Sequence, residues 1–215
     1  MKIIEPFYEI LFIQSKGQLL ANIEKAGRTC YKSEDKITAD SAESFVKTIL
    51  KSGHHSVIEH ANISVRFICD RGVTHELVRH RLAAYSQEST RYANYSKDKF
   101  GNEITVIRPC FWKEDSEKFA VWKRAMEQAE QAYMELLSSG ARLEEARSVL
   151  PNSLKTEIVM TCNLREWRHV INLRCSKAAH PQIRQIMLPL LFDFYKTLPA
   201  VFEDLYKAYK PSYKI

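Results

Sequence analysis

Between residues 15 and 30 the apolar residues Leu19, Leu20, Ile23 and Ala26 fall on one face of a 3.6-residue period, which predicts a helix. Residues 38–52 repeat the pattern with Phe45, Val46, Ile49 and Leu50, with Thr38 placed to cap the helix and Gly53 to end it. Over Asn62–Asp70 the period changes to two. Ile63, Val65, Phe67 and Cys69 alternate with Asn62, Ser64 and Arg66, as in a half-buried strand. A helix over 73–83 follows, then a short strand over 103–108 that stops at Pro109. A long helix is predicted over 113–139, closed by Gly140, and a short one over 142–150, closed by Pro151. Residues 154–162 alternate in part, through Leu154, Thr156, Ile158, Met160 and Cys162, and read as a strand. Residues 164–174 read as a helix, and 182–209 as a last one interrupted near Pro189 and Pro199. Many helices and few strands give an expected α+β class. With no low-complexity linker and no internal repeat, residues 1–215 are expected to form a single domain.

Composition narrows the picture only a little. Hydrophobic residues make up 45% and charged residues 27%, an ordinary soluble balance. No apolar run reaches membrane-spanning length and no signal-peptide pattern is present, so a cytoplasmic protein with no membrane partner is expected. The net charge of +6 suits either a nucleic acid or anionic small molecules. Five cysteines, an odd number without a CxxC, suggest neither a disulfide framework nor a zinc ribbon; reduced thiols, most of them core fillers, are expected. There are six glycines and no GxGxxG or GxxxxGK, so any phosphate must be held by side chains.

The chemistry concentrates in Arg79–Tyr92, which holds Arg79, His80, Arg81, Ser86, Gln87, Ser89 and Arg91. Three guanidinium groups this close repel one another unless anions or carboxylates neutralise them, and the arginine fork grips phosphate bidentately. A solvated basic helix face is the alternative, but Leu82, Ala83, Ala84 and Tyr85 lie between the charges and no lysine does. On a helix Arg79 and Arg81 point to nearly opposite sides, which suits two ligands. Ser89 and Arg91 share a face if the chain is extended there, as a phosphate clamp.

Other runs carry weaker signals. His54, His55, Glu59 and His60 offer metal-ligand types in a spacing that matches no HExxH pattern, and a hydrogen-bonding loop is the preferred reading. Asn163 is placed to cap the helix that follows it. On that helix Arg165, His169 and Asn172 step by four and three residues along one polar face, and Arg174 ends it. The competing reading of that face is a solvent-exposed stripe. Arg147 stands alone beside Val149-Leu150-Pro151.

Arg79-His80-Arg81, seven residues and then Ser89 closely resembles the signature of the flavin-dependent thymidylate synthases. Gly53-His54 through Glu59-His60, Ser89-x-Arg91-Tyr92, Arg147 to Leu150-Pro151 and Asn172-Leu173-Arg174 agree in order, over roughly residues 53–182. The resemblance implies a helical layer on a small, mostly antiparallel sheet and a homotetramer with active sites shared between subunits. It implies FAD as cofactor, dUMP as substrate, and 5,10-methylenetetrahydrofolate and NADPH as co-substrates, with dTMP as product. By position it assigns Ser56, Arg79, His80, Arg81, Gln87, Asn163, Arg165 and His169 to FAD. It assigns Glu76, Arg79, Gln87, Ser89, Thr90, Arg91, Arg147 and Arg174 to dUMP, with Arg174 the catalytic residue and no metal ligand. Ser86 and Gln87 stand where many relatives have Asn and Glu, Ala84 where Ser is frequent, Glu76 where some have Gln, and His169 where some have Asn. Pro109-Cys110 resembles the nucleophile of the other thymidylate synthase family, but no other signature of that family is present and Cys110 is taken as structural. The competing functional reading is a basic nucleic-acid-binding module, opposed by the grouping of arginines in motifs instead of a stripe. A metal hydrolase built on His54, His55 and His60 is a third.

Overall fold

A computed structural model describes residues 1–210. The elements in chain order are β1 (Lys2–Ile4), β2 (Phe7–Phe12), α1 (Lys16–Tyr31), α2 (Ser41–Lys51), β3 (Asn62–Asp70), α3 (Arg71–Leu77), β4 (Ala83–Gln87), β5 (Thr105–Ile107), α4 (Glu117–Ser138), α5 (Leu143–Ala146), β6 (Lys155–Asn163), α6 (Leu164–Arg174), α7 (Pro181–Thr197) and α8 (Pro199–Tyr209). The class is α+β with a small antiparallel sheet, in strand order β2-β3-β6-β4. A separate parallel pair joins β1 to β5, with Ile3 opposite Val106.

The chain divides into two compact units. The first comprises residues 1–7, 67–79 and 85–159. Its core gathers Tyr95, Ile104, Val106, Phe119, Trp122, Met126 and Tyr133 against α4. Ser116 caps that helix by accepting the Phe119 N–H, so the helix begins at Glu117, four residues later than the pattern suggests. The second unit comprises residues 8–66, 80–84 and 160–210 of the described chain. Its core is helical. Trp167 is fully buried, donates its indole N–H to the Ile63 carbonyl at 3.0 Å and packs edge-on against Phe194. Arg168 clamps Asp204 on α8 with two hydrogen bonds, which ties α8 to α6. Gly27 lets α1 and α2 approach: a Cβ there would lie 2.6 Å from the Phe45 ring.

Several predicted boundaries shift for local reasons. Thr38 does not cap α2, which begins at Ser41; the Ser41 hydroxyl instead accepts the Thr38 N–H at 2.9 Å. Gly53 ends the segment as expected, with φ of +75°. The helix predicted over 73–83 is α3 and ends at Leu77. The Tyr85 hydroxyl donates to the Leu77 carbonyl at 2.7 Å, so the strand that follows satisfies an end of the helix. Arg79, His80 and Arg81 are therefore not helical, and the opposed-sides argument drawn from helix geometry does not apply to them. Pro189 sits inside α7 without breaking it, and the interruption falls only at Leu198–Pro199. Cys69, Cys162 and Cys175 are buried, and burial raises each thiol pKa. Cys30 and Cys110 are exposed, so neither is a core filler. Among the described residues no helix is long and apolar enough to cross a membrane.

Candidate active site

Helix α6 organises the polar cluster of the second unit. Asn163 caps it as the sequence predicts, its Oδ1 accepting the Glu166 N–H at 2.9 Å. This puts Glu166 in the first turn, where the helix dipole favours a negative charge, although the side chain is buried. At the other end of α6, Arg174 Nε donates to His80 Nε2 at 3.0 Å. A guanidinium has no acceptor, so Nε2 carries the lone pair and Nδ1 the proton. Nδ1 lies 3.5 Å from Glu166 Oε1. The His169 ring stands edge-on to His80 with centroids 5.6 Å apart. Burial above all, then the charges of Arg174 and His169, lowers the His80 pKa to about 4. The ring is therefore neutral near pH 7 and able to accept from Arg174.

His80, Glu166 and His169 are also the described residues whose ligand atoms come within 4.8 Å of one another, as a metal would require. A cation there would need an imidazole nitrogen that already carries a proton or already accepts from Arg174, and it would lie beside a fixed guanidinium. In the cluster His80 stands between Arg174, which donates to it, and the Glu166 carboxylate, which faces its other nitrogen. His54, His55, Glu59 and His60 do not form such a group. Glu59 pairs instead with Arg165, whose Nη1 is 2.5 Å from its Oε1.

A cavity of about 600 Å³ opens beside this cluster, lined by Glu59, Leu82, Asn163, Arg165, Glu166 and His169. Its donor set of guanidinium, imidazole and amide suits phosphate oxygens and heteroatoms of a planar ring. Leu82, 75% exposed, adds apolar surface of the kind a flat ring covers. Ser56, in the 3-10 turn over residues 55–60, and Arg81 are exposed within the same unit.

The other expected site residues lie in the first unit. Glu76 is in the last turn of α3, and its carbonyl accepts the N–H of the exposed Arg79. Gln87 ends β4. Its Nε2 donates to Thr74 Oγ1 at 3.1 Å and Thr156 Oγ1 at 3.3 Å, both on buried threonines. The Thr74 hydroxyl proton is spent on the Arg71 carbonyl, so Thr74 can only accept from residue 87. Residues 89–91 form a turn and not an extended clamp: the Tyr92 N–H bonds the Ser89 carbonyl and the Arg91 N–H bonds Ser89 Oγ. Buried Thr90 accepts from Arg147 Nη1 at 3.4 Å, and Arg91 lies 3.5 Å from Glu144. Arg147 is thus joined to the signature run through Thr90, a link its sequence context did not show.

Glu144 and Glu166, which face Arg91 and His80, were given no role by sequence, and Glu59 was read only as a metal-ligand type or part of a hydrogen-bonding loop. For Glu166 the signal existed: Asn163-x-x-Glu166 follows the spacing of a helix-capping box, which fixes the first turn.

Residues 13–200 match the family model described as thymidylate synthase complementing protein. A flavin-dependent thymidylate synthase of Geobacter sulfurreducens is 33% identical over 203 residues, covering 91% of this chain and 86% of its own. One from Mycolicibacterium vanbaalenii is 37% identical, covering 86% and 78%, and one from Pyrococcus abyssi is 37% identical, covering 76% and 67%. None of the three is named as a nucleic-acid-binding protein.

Proposed function

The chain belongs to the flavin-dependent thymidylate synthases, and from that membership we propose how its residues divide the work of converting dUMP to dTMP. FAD is the cofactor, and 5,10-methylenetetrahydrofolate and NADPH are the carbon donor and hydride source. Bound FAD supplies hydride chemistry that no side chain carries.

The protein contributes position and charge. Asn163, Arg165 and His169, with Ser56, Arg79, His80, Arg81 and Gln87, hold the flavin nucleotide. Arg165 exchanges its exposed pairing with Glu59, of the kind worth about 0–1 kcal/mol, for a phosphate. Glu76, Arg79, Gln87, Ser89, Thr90, Arg91, Arg147 and Arg174 bind dUMP. Arg91 and Arg147 supply cations for its phosphate, and Ser89 acts as a hydrogen-bonding group. Arg174 stays protonated, so it serves as an electrostatic stabiliser of negative charge on the uracil ring and not as a base. The protein works in the cytoplasm as a homotetramer whose subunits share sites, so the residues around one ligand need not come from one chain. It engages neither nucleic acid nor membrane.

The observation that carries this reading is the bond between Arg174 and a neutral, buried His80, which holds the guanidinium without adding a second charge of its own. Absorption spectroscopy tests it. The purified protein with FAD shows an oxidised flavin spectrum, and adding dUMP perturbs it. Protein that stays colourless after incubation with FAD contradicts the reading.

A further inference from the structure

Glu166 has no part in the ligand assignments above, yet its carboxylate is buried at 8% exposure. A buried charge is costly unless something engages it. Its backbone N–H is spent on Asn163, and its carboxylate faces His80 Nδ1 at 3.5 Å. His80 in turn accepts from Arg174. An imidazole can place its single proton on either nitrogen, and only the Nδ1–H form leaves Nε2 able to accept from a guanidinium. A carboxylate facing Nδ1 favours that form. Without it the Nε2–H form becomes available, two donors oppose each other across 3.0 Å, and the guanidinium must turn away.

We propose that Glu166 is a positioning residue: through the tautomer of His80 it fixes the direction of the Arg174 guanidinium. The inference rests on the assignment of Arg174 to the nucleotide. Both ends of the relay belong to α6, Glu166 in its first turn and Arg174 as its last residue. About 12 Å of helix rise separates them, and His80 bridges them from another segment. The first turn also carries Arg165 at the cavity, so the relay joins the flavin side of the helix to its nucleotide side.

Nitrogen-15 NMR of the His80 ring, with steady-state kinetics of the FAD-loaded protein, tests this in wild type and Glu166→Gln. The wild type shows a protonated Nδ1 and a bare Nε2. The variant gains the Nε2–H form and loses about 10- to 100-fold in kcat, with flavin occupancy and melting temperature retained. In a His80→Gln background, where an amide carbonyl accepts from Arg174 without a choice of tautomer, Glu166→Gln costs no further turnover. The inference is overturned if Glu166→Gln keeps the Nδ1–H form, keeps wild-type kcat, or costs as much in the His80→Gln background as alone. If Glu166→Gln does not fold, Glu166→Leu, which likewise leaves no carboxylate facing Nδ1, replaces it with the same readouts. A wild-type protein that makes no dTMP counts against the proposed function alone, and the His80 tautomer in the variant then decides this inference.

Discussion

Arg174 Nε donates to His80 Nε2 at 3.0 Å, a bond that needs a bare Nε2 on the histidine and limits the reach of the arginine. A lysine at position 174 would bring a compact ammonium without the planar fork, so it could not make this bond and keep a guanidinium turned to the ligand. Arg174→Ala is expected to lower kcat by about 10²- to 10³-fold, the cost of removing one oriented electrostatic stabiliser. Flavin content is unchanged, because Arg174 is assigned to the nucleotide. Steady-state turnover measured beside the flavin-to-protein absorbance ratio checks both. Turnover equal to wild type would refute the assignment.

His80 makes stability depend on mild acid. Burial first, then Arg174 and His169, lowers its folded pKa from 6.5 to about 4. Below pH 6.5 the unfolded chain takes up a proton that the folded ring refuses until about pH 4. Its contribution is therefore complete above pH 6.5 and is lost as pH falls towards 4, by about 3 kcal/mol in all. Urea unfolding across this window is expected to show wild type losing more stability on acidification than His80→Gln. Parallel losses in the two proteins would contradict the account.

Gln87 donates to two buried threonines, one of which can only accept from it. Thr74 has already given its hydroxyl proton to the Arg71 carbonyl, and Gln87 supplies the proton between Thr74 and Thr156. A carboxylate there has nothing to donate. Gln87→Glu is expected to destabilise the protein by about 1–3 kcal/mol, the cost of leaving buried polar groups unmatched. Unfolding in urea at neutral pH measures this; stability equal to or above wild type would show that the threonines reorient freely.

Arg79→Ala tests whether one exposed arginine serves both ligands. Titrations of the variant with FAD and with dUMP are expected to show weaker binding of each. Weakening of one alone would show that Arg79 does not bridge them.

Much of this was legible in the sequence where burial imposes a strong period. Strand β3 and helix α6 were read with their boundaries intact, because Ile63, Val65 and Phe67 on one and Leu164, Trp167, Val170 and Ile171 on the other are buried at regular steps. Strands β2 and β4 were not read. They lie at the two edges of the sheet, and β2 leaves Phe7, Leu11 and Phe12 exposed while β4 is the short run Ala-Ala-Tyr-Ser-Gln. Neither has the alternation that marks a buried face. Pro189 misled for the opposite reason: Leu188, Leu190 and Leu191 around it are buried, and packing holds α7 together across the missing N–H. For the site, the motif residues were legible as residue types, but which carboxylate pairs with which of them was not. Pairings such as Arg165 with Glu59, 106 positions apart, depend on the fold and not on local spacing.

Formation of dTMP by the purified, FAD-loaded protein tests the central claim most directly. With dUMP, 5,10-methylenetetrahydrofolate and NADPH all present, the account predicts dTMP in amounts exceeding the enzyme many times over, and none when any one of the three is withheld. Protein that binds FAD and dUMP but makes no dTMP from the complete mixture would contradict it.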